Sequence, residues 1–141
     1  MDLSINVGDT KLKIRVAGLL STPNGFLFEK SDYKYIFPIG GKIMINETSQ
    51  EAIIREIEEE VGMRVKNLKL CSVLENLYST QSGKVHEICF VYKTEEIFTG
   101  PVPKGFIEVP MNEIENFDIR PNIISSILKN KDGLFKHIIL N

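Results

Sequence analysis

The sequence predicts an α/β fold, and three observations carry that prediction. Residues 49–61, SQEAIIREIEEEV, have helical patterning with a marked start and a marked end. Short apolar stretches with strand character lie on both sides of this segment. A second helical pattern, Ile123, Ile124, Ile127 and Leu128, follows Pro121 late in the chain.

The elements follow in order. Leu12 to Leu20 alternates at Leu12, Ile14 and Val16 and then runs apolar, as a strand entering a core would. Thr22-Pro23-Asn24-Gly25 is a turn, in which Pro presets φ and Asn-Gly tolerates positive φ. Phe26-Leu27-Phe28 is the returning strand, so residues 12–30 read as a β-hairpin. Tyr35-Ile36-Phe37 is a short strand leading to Pro38-Ile39-Gly40-Gly41. Two adjacent glycines let a backbone approach a ligand closely, although a plain turn has the same composition. Asn46 accepts left-handed geometry and suits a bend before the helix. Thr48 is the N-cap, Glu51 completes a capping box, and Gly62 supplies the left-handed end. Beyond the helix, Leu68 to Leu77 and Val85 to Tyr92 are strands joined by a loop at 78–83. Thr99 to Gly105 is a breaker-rich loop suited to covering a cleft. Phe106 to Pro110 is a strand, a helical turn starts at Met111, and Lys136 to Leu140 is a last short strand.

The faces of the first helix are the most informative part. At about 100° per residue, Ile53, Ile54, Ile57 and Val61 form the stripe to be buried. Glu56, Glu59 and Glu60 fall together beside it, and Arg55 lies one turn from Glu59 and can pair with it. Crowded carboxylates repel one another unless a cation neutralises them. The stretch has no His or Cys, so its hard oxygen ligands suit Mg²⁺, Mn²⁺ or Ca²⁺ and not Zn²⁺. For the helix alone, a solvated acidic face is the competing explanation.

Composition narrows the partners. The 141 residues suit one domain, 1–141, and 43% hydrophobic with 26% charged residues is ordinary for a globular chain. A net charge of −2 gives no footprint for a nucleic-acid polymer or an anionic membrane. The first residues, MDLSINVGDT, are too polar for a signal peptide, and no apolar run reaches spanning length. Cys71 and Cys89 lack metal-ligand spacing and read most simply as buried thiols in a reducing cytoplasm, with a disulfide left open.

The stretch from Gly41 to Met63 then resembles the signature of the Nudix hydrolases, of the MutT-like kind. That signature is Gly-x5-Glu-x7-Arg-Glu-aliphatic-x-Glu-Glu-x-Gly-aliphatic. Gly41, Glu47 and Arg55-Glu56-Ile57-Glu58-Glu59-Glu60-Val61-Gly62-Met63 match every fixed position. Outside the fixed positions the chain departs by Ile39, Met44 and Asn46, where the family commonly has Gly, an acid and Gly. The resemblance implies an α/β/α sandwich around a mixed sheet. It implies a pyrophosphohydrolase cleaving a nucleoside diphosphate linked to another moiety: a nucleoside triphosphate, ADP-ribose or a nucleotide sugar. Metal ligands would be Glu56, Glu59, Glu60 and the carbonyl of Gly40, with Mg²⁺ as cofactor and Mn²⁺ as a substitute. Arg55 would act with Glu56 and Glu59 in catalysis by orienting a glutamate, and Glu47 would assist the shell or brace the loop. The general base stays open between Glu56, Glu59 and the outliers Glu95, Glu96 and Glu108.

The expected substrate-binding side chains are Tyr35, Phe37, Lys42 and His86, with Tyr33 and Tyr78 as further stacking candidates. His86 also suits a purely structural hydrogen bond. The partner is a small-molecule diphosphate, and a homodimer is permitted. Two alternatives share the scaffold: a non-catalytic ligand-binding regulator, and a prenyl diphosphate isomerase, which would need an activated Cys71 or Cys89 in the cleft.

Overall fold

A computed structural model describes residues 1–130 and 132–141. The strands are β1 (Ser4–Val7), β2 (Thr10–Ser21), β3 (Gly25–Lys30), β4 (Ile36–Lys42), β5 (Leu68–Thr80), β6 (Gly83–Ile97), β7 (Phe106–Pro110) and β8 (Lys136–Leu140). The helices are α1 (Ser49–Val61) and α2 (Ile123–Lys129), and Met111–Asn116 is a 3₁₀ turn. One sheet runs in the order β7-β3-β4-β2-β6-β5-β8, with β1 folded back onto β2. The β2–β6 and β5–β8 pairs are parallel and the others antiparallel, so the sheet is mixed.

Alternation along the strands makes two cores, one on each face. On one face Val16, Leu20, Leu27 and Ile39 pack against Ile53 and Ile57 of α1. On the other, Leu19, Phe26, Phe28, Leu74 and Val91 pack with Ile124 and Leu128 of α2. The expected α/β/α sandwich is therefore the observed architecture. Helix α1 seats closely on β2 because Gly18 has no side chain there; a Cβ would come within 2.8 Å of Ile53 Cδ1. Its ends follow the sequence pattern. Thr48 accepts from Glu51 N, the Glu51 carboxylate accepts from Thr48 N, and Gly62 is left-handed at φ 74°.

Several expectations need correction. The hairpin over 12–30 pairs only Leu20 with Leu27 and Ser21 with Phe26, because β3 turns away to lie between β4 and β7. Asn24-Gly25 does not use positive φ. Gly25 is instead held by close approach, since a Cβ would lie 1.9 Å from the Val109 carbonyl oxygen. Gly40 and Gly41 are not a turn but the end of β4, opposite Ala17 and Val16. The loop at 78–83 shrinks to two residues, as β5 runs to Thr80 and β6 starts at Gly83. The buried stripe of α1 is Ala52, Ile53, Glu56 and Ile57, with Ile54 and Val61 only partly covered. Strand β1 has no counterpart in the sequence reading; a left-handed Gly8 closes its hairpin with β2. Pro121 precedes α2 and is not in its first turn. Among the described residues no helix is long and apolar enough to cross a membrane.

Candidate functional site

The loop between β4 and α1 is built to hold one arginine. Asn46 is left-handed at φ 65°, as its side chain permits, and this turns Glu47 back over the loop. Glu47 Oε1 accepts from Met44 N at 3.0 Å. Arg55 then donates to both Glu47 oxygens, at 2.7 Å and 2.9 Å, in a forked pair. The same guanidinium donates to Glu56 Oε1 at 2.9 Å, to Glu59 Oε2 at 3.4 Å and to the Lys42 carbonyl oxygen at 3.3 Å. The Glu47 hydrogen bonds, ahead of the contact with Glu56, raise the Arg55 pKa above its ordinary value and keep it charged. The same pairing holds the Glu47 carboxyl below the usual range. The expected Arg55–Glu59 pair is thus the longest of the arginine's carboxylate contacts, and Glu47 is the principal partner.

Glu56 is the buried member of the acid group, at 9% relative exposure. It fits because Gly41 has no side chain: a Cβ there would lie 2.2 Å from Glu56 Oε1. Burial raises the Glu56 carboxyl, Arg55 opposes this, and Glu59 and Glu60 add to the rise. Glu59 and Glu60 are exposed. A fourth acid, Glu29 on β3, is half-buried and is also raised, by burial first and then by Glu60 and Glu56. Among the described residues no three acid, His or Cys side chains stand close enough to enclose an ion as placed. The donor set nevertheless fits a hard divalent cation in kind. It is all carboxylate, and one of its members is buried beside like charges with a single arginine shared between it and Glu47.

A cleft of about 660 Å³ opens on the opposite face of β4, the α2 side. Lys13, Arg15 and Ala17 of β2 line it, with Gly40, Phe37 and Tyr35 from β4 and the residue before it. Asn76 and Tyr78 of β5 and Glu87 and Cys89 of β6 form another wall, and Arg120 and Ile124 close it. Arg15 Nε and Glu87 Oε1 are 3.7 Å apart. The Arg120 guanidinium lies 4.4 Å from the Tyr35 ring centroid, and Tyr33 stacks on Tyr35 from outside at 6.0 Å.

Of the anticipated binding residues, Tyr35, Phe37 and Tyr78 line this cleft, and Gly40 does too. Lys42 ends β4 opposite Arg15, near enough to Lys13 to depress its pKa slightly beyond the effect of burial. His86 is exposed and alternates with Glu87 and Cys89, so it points to the other face and is not among the cleft's lining residues. Loop 99–105 runs beside β3, where the Gly105 carbonyl accepts from Lys30 N, and is not part of the lining either. Sequence reasoning missed Lys13, Arg15, Asn76, Glu87 and Arg120, which share no local motif. Glu96, one of the acids left open as base, instead accepts from Lys66 N and Asn67 N and pins the chain after α1. Cys71 and Cys89 are both free thiols. Cys89 lines the cleft, but burial pushes its thiol up to about 12, the reverse of an activated thiolate.

The chain is similar to known proteins in sequence and in fold. The model of the family described as the NUDIX domain matches residues 12–123. A Bacillus subtilis (strain 168) protein, YtkD, provisionally named an 8-oxo-dGTP diphosphatase, is 34% identical over 100 residues. That match covers 64% of this chain and 59% of the relative's length. The crystal structure of a mutator MutT protein from Bacillus halodurans superposes with a TM-score of 0.66 at 20% identity, covering 84% of this chain and 80% of that one. The solution structure of the E. coli ORF135 protein superposes at 0.59 with 17% identity, covering 89% and 91%. At such identities the structural likeness speaks for the fold alone.

Proposed function

The chain belongs to the NUDIX domain family, and on that premise we propose that it is a divalent-metal-dependent pyrophosphohydrolase acting on a nucleoside diphosphate linked to another group. One observation carries the reading. A complete acid set on α1, with Glu56 pinned by Arg55 and roofed by Gly41, stands across β4 from a cleft of nucleotide size.

In this reading Glu56, Glu59, Glu60 and the Gly40 carbonyl hold the cation. When bound, Mg²⁺ or Mn²⁺ neutralises diphosphate oxygens and makes an attacking water more acidic. The chain's own residues do the rest. Glu47 fixes Arg55, and Arg55 holds the Glu56 carboxylate in one orientation. Lys13 and Arg15, both half-buried in the cleft wall, meet phosphate charge there. Tyr35 and Phe37 put aromatic surface in the cleft wall for a base to pack against. Asn76 and Glu87 offer an amide and an acceptor for a base edge.

Similarity to a relative named for 8-oxo-dGTP makes that nucleotide the first substrate to try. The test is product release with Mg²⁺ and with Mn²⁺ across 8-oxo-dGTP, ordinary nucleoside triphosphates, ADP-ribose, nucleotide sugars and dinucleoside polyphosphates. Metal-dependent cleavage of one class is expected. Bound metal with no cleavage of any class would move the protein to the ligand-binding regulators.

A further inference from the structure

We infer that Glu87, with Asn76 beside it, reads the base edge of the substrate and selects guanine over adenine. This rests on the nucleotide reading above and adds specificity to that same cleft.

The strand register lays out the cleft floor. Asn76 on β5 is the ladder partner of Glu87 on β6, and Glu87 is the ladder partner of Lys13 on β2. All three line the cleft, so they form one row across three strands with Glu87 in the middle. Two residues along, on the same face, Leu74 lies opposite Cys89. Both are buried and line the cleft as well, so the polar row borders an apolar floor on which a flat ring can lie.

Glu87 is the only acid among the described residues that line this cleft, against the cations Lys13, Arg15 and Arg120. Its side chain is 18% exposed, and Arg15 Nε stands 3.7 Å from Oε1, too far for a hydrogen bond. The carboxylate therefore keeps its acceptor capacity. Placed where a diphosphate binds, it opposes phosphate charge unless donors of the ligand engage it.

A carboxylate offers two acceptors and no donor, whereas the Asn76 amide also donates. Among the common bases guanine alone sets two neighbouring donors, N1–H and N2–H₂, beside an acceptor, O6. Glu87 takes the two donors and the Asn76 amide nitrogen donates to O6. Adenine turns the N1 lone pair toward the carboxylate, acceptor against acceptor. Beside buried side chains such an unpaired group costs more than it does in water. A Glu87 that only balanced Lys13 and Arg15 would affect every nucleotide alike.

The experiment is calorimetric titration with GMP, IMP and AMP in the presence of Mg²⁺, three ligands that share ribose and phosphate. It compares the wild type with Glu87→Gln and Asn76→Ala, both checked for folding by circular dichroism. The wild type should bind GMP about tenfold or more tighter than AMP, with IMP between them because it keeps N1–H and O6 and lacks the N2 amine. Glu87→Gln should narrow the GMP-to-AMP ratio to about threefold or less. Asn76→Ala should weaken GMP and IMP by the same factor and leave AMP unchanged, and it carries the test should the glutamine variant not fold. A wild type that binds GMP no tighter than AMP, or variants at either position that shift GMP and AMP by the same factor, overturn this inference. Metal-dependent cleavage of a nucleotide by that same protein then leaves the proposed function standing. A wild type that neither binds nor cleaves any nucleotide overturns both.

Discussion

Gly40 and Gly41 are neighbours in β4 and look onto opposite halves of the molecule. Gly41 faces α1, where the space left by its missing side chain is filled by the Glu56 carboxylate. Gly40 lines the cleft on the α2 side, where the surroundings are aromatic and cationic. The arginine and the acids of α1 with Glu47 come from one contiguous stretch of chain, Gly41 to Glu60. The cleft is drawn from β2, β4, β5, β6 and the segment leading into α2. The residues assigned to bond cleavage and those assigned to recognition are thus separated by the thickness of one strand, and substitutions can reach either half alone.

The largest expected effect is on the acidic half. Glu56→Gln keeps the volume and the contact with Arg55 and removes the charge, so turnover should fall about 10²-fold or more. Circular dichroism and the unfolding midpoint should stay close to the wild type, because a buried carboxylate near like charges adds little stability. Turnover within about twofold of wild type would detach Glu56 from the chemistry.

The two glycines offer a sharper contrast. At Gly41 an alanine Cβ meets the end of the flexible Glu56 side chain. Gly41→Ala should displace that carboxylate, lower kcat and leave stability nearly unchanged. At Gly40 the Cβ would stand 2.3 Å from the Val16 carbonyl oxygen, which is backbone in the adjacent strand. Gly40→Ala should therefore cost about 1–3 kcal/mol in urea unfolding. Equal stability losses for the two variants would dissolve the contrast.

Glu47 belongs to the acidic half but serves structure first. Its folded pKa is depressed, chiefly by Arg55. The resulting stability is present above the unfolded carboxylate value and is lost as pH falls through the folded value. Glu47→Gln should be less stable than wild type at pH 7, and the gap should narrow as pH falls below the ordinary carboxylate range and the wild type loses the same pair. A gap that does not narrow with acid would mean that Glu47 works by packing and not by charge. The smallest effect is on Cys89, whose thiol is pushed up to about 12 by burial. At pH 8 iodoacetamide should leave it unmodified in the folded protein and label it in urea. Ready labelling of the folded protein would revive a thiol role in the cleft.

The two halves were unequally legible. The α1 cap, the acid face and the bend at Asn46 follow from local spacing, so the sequence exposed them, while the layering of helices on both faces of the sheet came only through the family resemblance. Glu47 as the main partner of Arg55 was hidden because the pair depends on a loop that folds back. The burial of Glu56 was hidden because it depends on the missing side chain of Gly41 on the facing strand. The cleft was largely invisible. Lys13, Asn76 and Arg120 stand far apart in the chain and meet only through the sheet order. His86 was misplaced for the same reason: period-two alternation makes one register step a change of face. β1 was overlooked because its residues are polar, exposed and held by pairing to β2 alone.

The separation of the two halves is tested most directly by steady-state kinetics of Glu59→Gln and Tyr35→Ala, side by side on whichever substrate the panel identifies. The account predicts that Glu59→Gln loses kcat about 10²-fold or more with KM little changed. It predicts that Tyr35→Ala raises KM about tenfold with kcat little changed, as expected for lost aromatic surface. Two variants that move the same parameter together would contradict it.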